Sequence, residues 1–202
     1  NHYSQAWIDV SLGTALWAQG KSDQAGPLLT RGLLMGNQLD HPLTAWGLIV
    51  LGRIALDADR HDEAVKYFEE ATYSAADYGD MRALEEAFHW VWTAHHLTGL
   101  RGVPPALRLA ADGSRGGPAA LRARLLAMQA EAAAAAGDRQ TAEAALKAID
   151  GRLMRGDAGR GMLGGIAGYA AAVANYSAGD TAAGDAALEQ ALAIARGRSL
   201  PL

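Results

Sequence analysis

The densest group of chemistry-bearing side chains lies between positions 85 and 96, where Glu85, Glu86, His89, His95 and His96 share one short stretch. Glu86 and His89 form a Glu-x-x-His pair at i, i+3 spacing. On a helix such a carboxylate and imidazole share a face and can hold zinc or iron. A di-iron centre in a helical bundle needs a second such pair on another helix. The chain supplies none, and His-Glu-x-x-His is missing too. These residues therefore read as polar positions on a partly exposed helix, with one histidine satisfied between packed helices, and no metal is expected. A second group is basic. Arg101, Arg108, Arg115, Arg122 and Arg124 have only Asp112 among them, and Arg152, Arg155 and Arg160 follow in a glycine-rich stretch. Phosphate contact is one use for such a run; a solvated helix face is the simpler one. Gly161, Gly164 and Gly165 make no phosphate loop, since no Gly-Lys-Ser/Thr follows. No Gly-x-Ser-x-Gly is present, and the serines and histidines show no nucleophile pattern. Neither an enzyme nor a cofactor is expected.

Composition narrows the remaining classes. The 202 residues are 50% hydrophobic and 20% charged, enough apolar material for a substantial core. A net charge of −4 argues against the whole chain acting as an electrostatic nucleic-acid binder. Cysteine is absent, which removes disulfides and thiolate chemistry and fits a reducing, cytoplasmic setting. No run approaches the roughly 18 apolar residues of a membrane span, and no basic-then-apolar signal segment opens the chain. The start at Asn1 and the end at Leu202 read as cuts in a longer protein.

The elements that must position these residues are helices, and they repeat. Apolar side chains recur at helical spacing, as in Ala6, Val10, Leu12, Leu16 and Trp17. Five times a small residue is followed twelve positions later by another: Gly13/Ala25, Gly52/Ala64, Ala94/Ala106, Ala130/Ala142 and Ala172/Gly184. Successive pairs are 39, 42, 36 and 42 residues apart. A period of this length means stacked supersecondary units, none able to bury its apolar face alone. Small residues on both helices of a unit let two backbones approach closely. Bulk then fills the surroundings, with Leu29, Phe68, Leu146 and Leu188 four positions after the second small residue. Reversals are predicted at Gly20–Asp23, Asp59–Asp62, Gly137–Arg139 and Gly179–Thr181, where Gly or Asp accepts the turn and Ser, Asp or Thr caps the next helix. A less regular turn is predicted from Gly99 to Pro105. Longer breaks are predicted at Gly36–Pro42, Asp77–Asp80 and Gly113–Pro118. The stretch Gly151–Gly168, with seven glycines, is expected to be the most mobile.

Leu12-Gly13…Leu16…Gly20…Ala25…Leu29 and Leu51-Gly52…Ala55…Ala64…Phe68…Ala71 resemble the helix-packing pattern of the tetratricopeptide repeat family, and Trp90 with Ala94 keeps it in the third repeat. The resemblance covers roughly residues 6–195 and is weak in the last two repeats. The period exceeds the family's usual 34 and is similar to that of the helical sensor regions of large bacterial ATPase-type transcription regulators and of kinesin light chain. The resemblance implies an all-α fold, a right-handed superhelical solenoid of about five antiparallel helical hairpins. It implies one helical repeat domain over 1–202, with a subdivision near 113–118 as the alternative.

It also implies that the first helix of each pair lines a concave groove. Carrying the repeat phase over, the second groove position gives Trp7, Trp46, Phe88, Arg124 and Ile166. The ninth gives Thr14, Arg53, His95, Glu131 and Val173. Val10, Trp17, Ile49, Leu56, Tyr169 and Tyr176 add to it. Trp90 falls at the phase of the family's packing tryptophan. The expected partner-binding set is Trp7, Trp17, Trp46, Arg53, Phe88, His95, Arg124, Glu131, Tyr169 and Tyr176, and Trp, Tyr and Arg are the types that most often anchor interfaces. The Lys and Asn that capture a peptide C-terminus in one subset of the family are absent from these positions. The expected function is recognition of a protein or peptide in the groove, as an adaptor or regulatory arm of a bacterial protein. The alternatives are a small-molecule sensor arm, which a closed pocket near Trp46 and Phe88 would mark, and self-assembly into a homodimer through apolar solenoid ends.

Overall fold

Five reversals of the chain are built alike, and they fix the architecture. The computed structural model describes residues 2–38, 43–99, 106, 118–149, 151–155 and 161–197. Among these residues lie ten helices and no strand. The chain divides into two compact units, residues 1–100 and 101–202. Unit 1 holds α1 (His2–Ala18), α2 (Ser22–Gln38), α3 (Thr44–Asp57), α4 (His61–Asp77) and α5 (Met81–Thr98). Unit 2 holds α6 (Ala119–Ala135), α7 (Arg139–Lys147), α8 (Gly151–Arg155), α9 (Met162–Ser177) and α10 (Thr181–Gly197).

The α1–α2, α3–α4, α4–α5, α6–α7 and α9–α10 connections share one geometry. In the first, the Gly20 amide donates to the Trp17 carbonyl at 2.8 Å and the Lys21 amide to the Leu16 carbonyl at 3.0 Å. This is the Schellman closure, which satisfies the last orphan carbonyls of a helix through one left-handed residue. That residue is Gly20, Asp59, Gly79, Gly137 and Gly179 in turn, with φ of 75°, 55°, 66°, 79° and 79°. Asp80, Asp138 and Asp180 then accept hydrogen bonds from amides two or three residues on, capping α5, α7 and α10. A turn this short forces the second helix back along the first. The Asp77–Asp80 break expected between hairpins is thus the same tight turn, so α3, α4 and α5 pack consecutively.

All five small-residue pairs are buried. A Cβ on Gly13 would stand 2.7 Å from Leu29 Cγ, and one on Gly52 would stand 2.4 Å from Phe68 Cε1. The α1–α2 and α3–α4 helices therefore meet at these small residues, and Leu29 and Phe68, both at 0% exposure, seal the contact. Burying such a side chain contributes about 2–3 kcal/mol. Around Phe68 lie Ala55, Ala64, Val65, Val91 and Ala94, flanked by Leu56, Tyr67 and Trp90. In unit 2 the corresponding cluster is Ala133, Ala134, Ala142 and Ala174 with Val173, and it holds no aromatic ring.

The glycine-rich stretch contains helix, and its residues 156–160 lie outside the described residues. Gly151–Arg155 is helical, and α9 already runs through Gly164, Gly165 and Gly168. The reason is close approach: a Cβ on Gly168 would stand 3.1 Å from the Ala191 Cβ of α10. The expected turn at Gly99–Pro105 and break at Gly113–Pro118 fall largely outside the described residues. Between them, Ala106 is helical and buried.

Candidate functional site

In unit 1 the first helices of successive repeats, α1, α3 and α5, carry a column of stacked side chains. Trp17 projects from the last turn of α1, Arg53 from the second half of α3 and Trp90 from the middle of α5. The Arg53 guanidinium carbon lies 4.1 Å from the Trp17 ring centroid and 4.5 Å from that of Trp90. A cation against an indole face is attracted by the ring quadrupole, by about 0.5–2 kcal/mol according to burial. Here one guanidinium lies against two indole rings, and all three side chains are half-buried.

Trp90 is fixed from behind. Its ring stacks on buried Phe68 of α4 at 5.9 Å and 21°, and its indole Nε1 donates to Glu86 Oε1 at 2.9 Å. His89 stands edge-on to it at 5.3 Å. A further ladder runs along α5, from His89 to Trp92 at 6.3 Å and from Trp92 to His96 at 4.5 Å. Burial lowers the His89 pKa, the Arg53 charge pushes the same way, and Glu86 opposes both. His89 is thus pushed toward its neutral form beside the Arg53 guanidinium.

The other expected site residues sort by burial. Trp7 is 53% exposed on α1. Trp46 is half-buried, and its indole Nε1 donates to Asp80 Oδ2 at 3.0 Å. Since Asp80 Oδ1 caps α5, one carboxylate ties the starts of α3 and α5 together. Phe88 is a correction: at 1% exposure it belongs to the core of unit 1 and presents no surface. The groove positions given to Val10 and Ile49 are corrected likewise, at 4% and 2% exposure. His95 is half-buried, its Nε2 4.0 Å from Glu69 Oε1, beyond hydrogen-bond reach. Burial, then neighbouring His96, lowers the His95 pKa, and burial raises that of Glu69, so both are pushed toward their neutral forms.

In unit 2 Glu131 is a second correction, with only 1% exposure. Arg124 is half-buried, and burial lowers its pKa. Tyr169 and Tyr176 are exposed on α9, and the Tyr176 hydroxyl donates to Asp185 of α10 at 2.7 Å. The described part of unit 2 therefore shows no counterpart to the tryptophan–arginine column.

Residues 4–72 match the family model for the tetratricopeptide repeat. Over that stretch the helical pairs are similar to tetratricopeptide repeats. Two solved structures of nearly identical TPR-like repeats, from a kinesin light chain-type protein of Podosopora anserina, align with 98% of this chain and 98% of their own. Both are 17% identical to it, with TM-scores of 0.62 for a point variant and 0.60 for the other form. At that identity the likeness shows the fold, an all-α TPR-like helical repeat. No curated protein sequence matches the chain. Tetratricopeptide repeats are generally protein-interaction scaffolds, and a fold of this kind leaves function to the residues on its faces.

Three of the residues that build the first-helix face of unit 1 escaped the sequence reading. Trp90 read as packing alone, Glu86 as a polar position on a partly exposed helix and Asp80 as part of a break. A signal was present in the spacing: Trp17, Arg53 and Trp90 are 36 and 37 residues apart, three and five short of the local repeat periods of 39 and 42. Each member thus sits about one helical turn earlier on its helix than the last, a slanted column across three repeats. No group of three or more His, Asp or Glu suited to a metal occurs among the described residues, and no described helix is long and apolar enough to cross a membrane. A shallow depression of about 530 Å³ lies away from the column, lined by Asp59 to Glu63, Leu97 and Thr98.

Proposed function

We propose that the first-helix face of unit 1, formed by α1, α3 and α5, recognises a segment of a partner protein or a peptide. The observation that carries this reading is the Trp17–Arg53–Trp90 column, a half-buried cation held between two indoles on adjoining repeats. Tryptophan and arginine together, partly desolvated and rigid, form the residue combination that most often dominates interface energy. Exposed Trp7 extends the apolar surface along α1. In a longer parent protein such a face suits an adaptor or regulatory arm working in the cytoplasm. The small-molecule alternative loses its pocket walls, because Phe88 is core and the Trp46 indole N–H is already bonded to Asp80.

The test is a display selection of peptides against the full chain, followed by calorimetric titration of the selected peptides. A Trp7→Ala/Trp17→Ala variant, checked for native helicity by circular dichroism, serves as the comparison. Loss of affinity by about tenfold or more, roughly the 1.4 kcal/mol of a modest hot spot, supports the reading. Equal affinity for both proteins removes this face from the function.

A further inference from the structure

Neither ring nitrogen of His95 is satisfied. Nδ1 and Nε2 are both fully buried, and neither has a hydrogen-bond partner. A neutral imidazole carries one N–H donor and one acceptor, and leaving either unpaired away from water costs free energy. A complement lies on the adjoining helix: Glu69 Oε1 of α4 is 4.0 Å from His95 Nε2 of α5. That is about 1 Å longer than an N–H···O bond of ~2.9 Å, a gap that side-chain rotation can close. His61 and Asp59 stand at a similar 3.9 Å, but that carboxylate is in solvent and needs no partner. Among the described residues, the charged groups that face His95 are Glu69 from α4 and His96, its neighbour on α5. Helix α3 also packs on α5, yet its cation Arg53 lies against Trp90, and its one carboxylate, Asp57, makes no ion pair with His95.

We propose that Glu69 and His95 form a proton-operated clasp, in which uptake of one proton closes the 4.0 Å gap and ties α4 to α5. Net charge in a poorly solvated site decides the direction. With no proton bound the pair carries one negative charge, and with two protons it carries one positive charge. A single proton leaves the pair neutral. Burial disfavours either net charge, so the one-proton state is favoured. That proton sits on His95 Nε2, which donates to Glu69 Oε1 in a charge-assisted bond, stronger than a neutral one. Closure thus satisfies one of the two orphaned nitrogens. Burial raises the Glu69 pKa, while burial and then His96 lower that of His95. The two proton affinities are brought toward each other, and groups this close titrate as a pair rather than singly. Acid therefore closes the clasp and alkali opens it. The same two helices carry the Phe68–Trp90 stack, so closure tightens the pair that backs the first-helix face of unit 1.

The test is a nuclear magnetic resonance titration of the full chain with its histidine ring nitrogens isotopically labelled. It runs from about pH 8 to about pH 5, the range in which imidazoles change charge. Wild type, Glu69→Gln and His96→Gln are compared, the signal lost in His95→Gln gives the assignment, and thermal melting is the folding control. In wild type a hydrogen-bonded imidazole N–H of His95 should emerge as the pH falls. In Glu69→Gln it should not emerge. There His95 should also take up its proton at a pH lower by about one unit, a tenfold loss of proton affinity. His96→Gln should keep both features of wild type. The same titration midpoint in wild type and Glu69→Gln overturns the inference. Loss of the effect in His96→Gln overturns it too, since the pH dependence then belongs to the neighbouring imidazole. Should Glu69→Gln fail to fold, wild type decides alone. A bonded N–H that emerges with acid supports the clasp, and one that is present or absent throughout the range overturns it.

Discussion

In both units a glycine faces an aromatic ring across a helical hairpin, yet the two rings differ in freedom. A Cβ on Gly52 would stand 2.4 Å from Phe68 Cε1, and one on Gly184 would stand 2.6 Å from Tyr176 Cε1. Phe68 is fully buried and stacked on Trp90. Tyr176 is 39% exposed and held chiefly by its hydroxyl on Asp185. The same local device is therefore locked in unit 1 and loose in unit 2. Rigidity follows from what backs the ring, not from the glycine contact itself. In unit 1 the rigid ring in turn backs Trp90, and through it the Arg53 column.

The largest expected effect breaks this comparison directly. Gly52→Ala must displace a ring with nowhere to go. Overpacking of about 3 kcal/mol, less a helix-propensity gain of about 1 kcal/mol, leaves a net loss of about 2 kcal/mol. Gly184→Ala lets Tyr176 swing into solvent, so the propensity gain offsets the weakened hydroxyl bond and stability stays within about 0.5 kcal/mol of wild type. Urea denaturation of the two variants checks both numbers. Equal losses would mean that ring burial is not what separates the units. Gly52→Ala should also weaken any ligand that depends on Arg53, since Trp90 moves with Phe68.

A cross-hairpin carboxylate sharpens the contrast. Asp9 is buried in α1 and accepts from Arg31 Nε at 2.7 Å, Arg31 Nη2 at 2.8 Å and Gln5 Nε2 at 2.9 Å. In unit 2 the Tyr176–Asp185 bond spans α9 and α10 in solvent. Asp9→Asn should cost about 1.5 kcal/mol and Asp185→Asn well under 1 kcal/mol. The Arg31 hydrogen bonds hold the Asp9 carboxyl below its ordinary range, outweighing the opposing effect of burial. Its folded pKa is thus below its unfolded value of about 3.9. The stabilisation is complete above that unfolded value and is lost as pH falls through the lower folded one. Denaturation midpoints measured from pH 6 down to pH 3 should therefore fall less steeply in Asp9→Asn than in wild type. Identical slopes would show that the Asp9–Arg31 contact carries no net charge-dependent stability.

What could be read in advance follows the same division between backbone and surface. The small-residue pairs predicted from a twelve-residue spacing all proved buried, because close helix contact tolerates no larger side chain and so writes itself into residue type. The turns at Gly20, Asp59, Gly137 and Gly179 were legible for a similar reason: a left-handed residue is demanded there. The faces were less legible. Trp7, Trp46 and Phe88 all precede a small residue by six, yet they are exposed, half-buried and fully buried in turn. Phase fixes a direction on a helix, whereas burial depends on which neighbour packs there. Repeat periods of 39, 42, 36 and 42 shift that neighbour from one repeat to the next. Arg53 was placed on the binding face by phase alone. Its enclosure between two tryptophans depends on a one-turn offset that the phase does not contain.

The turns offer the finest version of the comparison. Four of the five Schellman closures use glycine, and the α3–α4 turn of unit 1 uses Asp59 at φ 55°. A side chain in the left-handed region costs roughly 1–2 kcal/mol, partly relieved for Asp by local hydrogen bonding. Glycine removes that strain and adds unfolded-state entropy, a smaller opposing effect. The Asp59 carboxylate offers little in compensation: it is 95% exposed and 3.9 Å from His61 Nε2. Asp59→Gly should therefore stabilise the chain by about 0.5 kcal/mol. The reciprocal change Gly137→Asp in unit 2 should cost about 1 kcal/mol, because it introduces the strain that unit 1 already tolerates. Thermal melting of both variants gives the sign. If Asp59→Gly destabilises instead, the aspartate makes a contribution to the α3–α4 turn beyond its backbone geometry, and the acidic depression beside it, lined also by Asp62 and Glu63, becomes the place to look for it.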